Sequence, residues 1–89
     1  MTATNQATNK TLDYYLSLPY PILLVPDPDD NTWYAKIPLL EGCMTDGETI
    51  EEALRNLDEA KTGWLEAALN HDDPIPEPEA AETYLLNMK

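Results

Sequence analysis

The run from Thr49 to Asn70 constrains this chain most, because it reads as one long helix with an apolar stripe that needs a surface to lie on. Thr49 suits the N-cap, and Glu52 three residues later completes a capping box. Glu48, Glu51 and Glu52 also suit the positive end of the helix dipole. Ile50, Ala53, Leu54, Leu57, Ala60, Trp64, Ala67 and Ala68 recur at three- and four-residue spacing, which predicts one buried face. Glu51, Arg55, Glu59 and Glu66 fall outside it. Glu51 and Arg55 are spaced for an ion pair of about 0.2–0.5 kcal/mol. Gly63 costs the helix roughly 1 kcal/mol relative to alanine, so close packing beside Trp64 or a slight bend is expected there. The turn-forming His71-Asp72-Asp73-Pro74 stops the helix near Asn70.

The surface for that stripe is supplied upstream. Ile22-Leu23-Leu24-Val25, bracketed by Pro21 and Pro26, reads as a strand covered on both faces or paired on one side. Pro26 to Asn31 is a dense turn segment. Thr32 to Ile37 is a second strand, with Trp33, Ala35 and Ile37 pointing one way and Thr32, Tyr34 and Lys36 the other. The short separation implies an antiparallel hairpin. Gly42-Cys43-Met44-Thr45 reads as a third short strand, followed by an Asp46-Gly47 turn. Thr11 to Leu18 has one or two helical turns before Pro19. Pro74, Pro76 and Pro78 make an extended exit. Thr83-Tyr84-Leu85-Leu86 reads as an edge strand or as a helical turn. The expected fold is α+β: a small antiparallel sheet in β-β-β-α order, with the long helix packed on one face and a final strand left open. A disordered tail over 1–10 is expected to precede a single domain over 11–89.

With 89 residues, such a domain has a thin core, for which self-association or a bound partner is a common remedy. Its net charge of −12, from 17 acidic and 5 basic residues, repels phosphate backbones and attracts a basic protein. Solubility alone is the alternative explanation of the acids. The single cysteine, Cys43, excludes an intrachain disulfide and fits a reducing cytosol. Met1 to Lys10 has no signal or transit pattern, and no apolar run is long enough to span a membrane, so a cytoplasmic protein is expected.

The strand–strand–strand–helix order also opens RNase H-like nucleases, which hold two metal ions between gathered carboxylates. Here the first strand carries no acid. Asp27, Asp29, Asp30 and Asn31 lack the glycine and terminal glutamate of a calcium loop. Cys43 and His71 are too few for zinc, and a lone strand cysteine reads as core more readily than as a nucleophile. With only Gly42, Gly47 and Gly63 there is no phosphate-cradling loop. No catalytic, metal or cofactor site is expected. Binding fits better. Tyr14, Tyr15, Tyr20, Trp33 and Tyr34 crowd the first third of the chain, and tyrosine suits interfaces. Trp33 and Trp64 read as core. The candidate partner-binding residues are Tyr14, Tyr15, Tyr34, Asp46, Glu48 and Glu51, although ordinary capping explains Glu48 equally well.

Leu18-Pro19-Tyr20-Pro21-Ile22, Trp33-Tyr34-Ala35-Lys36-Ile37-Pro38, Glu41-Gly42-Cys43-Met44-Thr45-Asp46-Gly47-Glu48-Thr49, Glu51-Glu52-Ala53-Leu54 and Asp73-Pro74-Ile75-Pro76-Glu77-Pro78 follow one another at spacings that resemble the HicB-like antitoxin family. That family's pattern is a P-x-L-x-G-C phrase, then G-[DE]-T-x-E-E-A, then P-I-P-x-P. The resemblance covers about two-thirds of the chain. It implies an incomplete RNase H-like domain without nuclease activity, a dimer or tetramer, and a HicA-type partner: a small basic toxin that cuts mRNA with a histidine and is masked by the antitoxin. Many members continue into a ribbon-helix-helix or helix-turn-helix segment that binds their promoter. This chain ends eleven residues after Pro78, with Lys89 as the only base beyond Lys61, so direct nucleic-acid binding is not expected. The rival readings are a stand-alone, self-assembling HicB-like module with no toxin, and a residual metal-dependent nuclease.

Overall fold

In the computed structural model of the chain, residues 10–78 are described, in the order α1 (Leu12–Leu16), β1 (Leu23–Asp27), β2 (Thr32–Lys36), β3 (Met44–Gly47) and α2 (Ile50–Asn70). The expected tail, apart from Lys10, and the segment Thr83–Leu86 lie outside the described residues. The three strands form one antiparallel sheet in the order β1-β2-β3, and α2 packs on one face of it. The β-β-β-α order and the α+β class are therefore as the sequence predicts.

Strand boundaries differ in instructive ways. β1 starts at Leu23 and runs through Pro26. A proline is tolerated there because β1 is an edge strand and needs a ladder partner on one side only. The turn that follows closes on itself: the Asp29 N–H donates to Asp27 Oδ1 at 3.1 Å, and Asn31 takes a left-handed φ of 59° that asparagine tolerates. β3 spans Met44–Gly47, two residues later than Gly42–Thr45, and Asp46-Gly47 extends the ladder instead of turning. The reversal is made earlier, at Gly42 with φ 88°. Around it the Cys43 N–H donates to the Leu40 carbonyl at 2.9 Å and the Ile37 N–H to the Cys43 carbonyl at 3.0 Å.

The helix α2 has the predicted limits. The Glu52 N–H donates to Thr49 Oγ1 at 3.0 Å, and Glu52 Oε1 reaches back to the Glu48 N–H at 2.6 Å, a capping box displaced by one residue. Its buried residues are Ala53, Leu57, Leu65 and Ala68. Leu65, fully buried, lies outside the predicted stripe, because α2 packs against α1 as well as the sheet and buries a wider face. Ile50 stays 40% exposed at the first helical position, and Ala67 is exposed. Gly63 meets nothing: a Cβ there would have no neighbour within 4 Å, so close packing is not its role. Glu51 and Arg55 do not close an ion pair. Among the described residues the pairs that form are Lys10–Glu77 at 3.2 Å and Lys61–Asp58 at 4.0 Å.

The core joins Ala35 and Ile37 of the sheet side, Leu40 and Cys43 of the connecting loop, Ala53, Leu57 and Leu65 of α2, and Tyr15 and Tyr20 of the N-terminal segment. Trp33 and Trp64 pack against it half-buried, and Trp64 Nε1–H donates to the Glu41 carbonyl at 2.8 Å. No helix among the described residues is long and apolar enough to cross a membrane.

Candidate protein-docking surface

Side chains alternate across a strand, so the burial of Ala35 on β2 turns Tyr34 and Lys36 to the face that α2 leaves bare. The register then assembles two rows across that face. Val25, Tyr34 and Asp46 form one, and Leu23, Lys36 and Met44 the other. Leu23 and Met44 are each 44% exposed and Val25 is 40% exposed. The Tyr34 hydroxyl donates to Met44 Sδ at 2.9 Å, which lays the ring across the apolar centre. Uncovered large apolar groups set around an aromatic residue mark a surface for docking another protein.

Carboxylates edge this face where β3 passes into α2. Asp46 is exposed beside Tyr34, and its carbonyl accepts from Asn56 Nδ2 at 3.0 Å, which pins the end of β3 to the helix. Glu48 and Glu51 follow, both exposed. Thus four candidates, Tyr34, Asp46, Glu48 and Glu51, lie on the bare face and the corner that continues it. The other two do not. Tyr15 is 7% exposed and belongs to the core of α1. Tyr14, half-buried, meets the Tyr15 ring edge-on at 5.0 Å and donates its hydroxyl to Glu77 Oε1 at 3.0 Å. That hydrogen bond, above all, holds the Tyr14 phenol above its ordinary pKa, and the Glu77 carboxylate raises Lys10 in the same way.

Leu23, Val25 and Met44 were not among the candidates. Strand alternation carried from β2 to its neighbours would have found them, had β1 not read as covered on both faces. The clasp between Tyr14 and Glu77 joins residues 63 apart and left no local signal.

The described residues offer little for chemistry. No three His, Cys, Asp or Glu side chains gather to hold a metal among them. Cys43 is buried, and burial pushes its thiol up, away from the reactive thiolate.

Comparison with known proteins agrees with this picture of a binding domain. The family described as the HicB-like antitoxin of bacterial toxin-antitoxin systems matches residues 20–89. A UPF0150 protein of Synechocystis sp. is 43% identical over 61 residues, which is 68% of this chain and 82% of that relative. A UPF0150 protein of Thermoplasma acidophilum is 35% identical over 63 residues, 71% of this chain and 90% of that relative. A second UPF0150 protein of Synechocystis sp. is 35% identical over 57 residues, 64% of this chain and 71% of that relative. No solved structure matches the chain.

Proposed function

The chain belongs to the HicB-like antitoxin family, and on that premise we propose that it binds a small basic HicA-type toxin and masks its mRNA-cleaving site by stoichiometric binding. The observation that carries this reading is the bare sheet face, where Tyr34 stands in register with Asp46 among exposed Leu23, Val25 and Met44. The net charge of −12 draws a basic protein in and quickens encounter. The apolar centre then supplies buried contact. Asp46, Glu48 and Glu51 meet arginine or lysine on the toxin, groups that would otherwise hold RNA. Tyr14 is a peripheral contact at most, and Tyr15 serves the core. Residues 11–89 act as one domain in this scheme, and the acidic chain contributes no RNA binding and no catalysis of its own.

The test is co-expression of the tagged chain with the product of a small basic reading frame beside its gene, followed by an RNase assay of the complex before and after separation. RNA cleavage that appears only after separation is the expected result. Absence of a co-purifying basic protein would overturn the proposal. The pair of reversals Asp46→Lys and Glu51→Lys is expected to weaken the complex about 10- to 100-fold without changing the melting midpoint. Unchanged affinity would remove these residues from the interface.

A further inference from the structure

A second surface lies beside the bare sheet face, and it has a different chemistry. α2 leans on β3 and β2 and scarcely reaches β1. A cleft of about 180 Å³ therefore stays open between the start of β1 and the middle of the helix, lined by Ile22, Ile37, Leu54, Leu57, Asp58 and Lys61. Ile37 and Leu57 form a buried floor, 2% and 1% exposed. Ile22 stands at the mouth, 48% exposed. Ile50, 40% exposed, is one helical turn from Leu54, so the apolar strip continues up the helix. The rim carries one charge of each sign, Lys61 and Asp58, 4.0 Å apart.

That rim decides which partner fits. A strongly basic toxin gains nothing against Lys61. A second copy of the chain is as acidic as the first, but at this cleft a carboxylate and an ammonium stand side by side, so two copies related by a two-fold axis can exchange partners. A two-fold contact requires such a self-complementary patch. Strand pairing is a poor alternative, because Pro21 and Pro26 blunt the β1 edge. A domain with so thin a core also gains from covering Ile22 and Ile50.

We propose that this cleft is the contact between two copies of the chain. Each copy sets Ile22 against the Leu54–Leu57 wall of the other, and Lys61 of each meets Asp58 of the other. The contact is independent of the toxin reading, since none of its residues lies on the bare sheet face.

Sedimentation equilibrium of the full chain tests it. The unaltered chain is expected to be a dimer, and Ile22→Glu to weaken the dimer at least about tenfold. Ile22 is half-exposed, so the variant is expected to keep its circular dichroism and melting midpoint. Lys61→Glu alone weakens the dimer as well, and adding Asp58→Lys to the same chain restores it. A monomeric unaltered chain overturns the proposal, as does a dimer indifferent to both Ile22→Glu and Lys61→Glu. Loss of toxin binding on Ile22→Glu, with no dimer to lose, would give the cleft to the toxin and overturn it too. The Asp46→Lys chain keeps its dimer, so failure of the toxin interface and failure of this one are read separately.

Discussion

Gly47 ends β3 beneath the first turns of α2, and its missing side chain sets how close the two can come. A Cβ there would stand 2.8 Å from Ala53 Cα and 2.9 Å from the Glu52 carbonyl carbon, both backbone atoms that cannot rotate away. Gly47→Ala is therefore expected to cost about 3 kcal/mol, by overpacking that forces β3 and α2 apart. Urea denaturation measures it, and a loss below about 1 kcal/mol would mean that the junction yields. Nothing local distinguishes this glycine from a turn glycine. Asp-Gly is a turn signal wherever it stands, and the close approach of a helix arriving six residues later becomes visible only in three dimensions. Tyr34 and Asp46 show the same division. Their side-chain character was legible, but their pairing across β2 and β3 depends on a register that Gly42 sets by turning the chain.

At the scale of elements, α2 was legible almost whole, because its signals are local. The cap needs only Thr49 and Glu52, and the stop only the turn residues after Asn70. Gly63 is exposed, with open space where its Cβ would be. Gly63→Ala should raise stability by about 1 kcal/mol through helix propensity alone. For a domain of this size that is a rise of about 4–8 °C in melting midpoint, readable by calorimetry. The strands were less legible. β1 passes through Pro26, which argues against a central strand and is consistent only with an edge. Which face of β1 stays bare depends on where α2 lies, over β3 and β2, and no residue of β1 encodes that.

At the scale of the whole molecule, the segment before β1 and the exit after α2 are clasped together. The Tyr20 hydroxyl donates to the Pro76 carbonyl at 2.6 Å, Tyr14 donates to Glu77, and Lys10 pairs with the same carboxylate. Burial, and then the Glu77 charge, push the Tyr20 phenol from 10.0 up to about 12. A pKa raised by folding means that the protonated phenol stabilises the fold. That contribution is complete below pH 10.0 and is lost as pH rises through about 12. Tyr20→Phe should cost about 1 kcal/mol at neutral pH, by stranding the Pro76 carbonyl, and should flatten the alkaline loss in that window. Melts across pH check both, and an unchanged alkaline slope would exclude Tyr20 as its source. By itself the sequence determined the long capped helix, the three-strand order before it, the acidity and the phrases that resemble its family, because each rests on neighbouring residues or on composition. Only the tertiary structure decided that Tyr15 is core, that Leu23, Val25 and Met44 surround Tyr34 on a bare face, and that Ile22 overlooks a cleft. The physical reason is that exposure is a property of what else arrives nearby, and a helix seated over two strands out of three leaves bare what alternation alone cannot name.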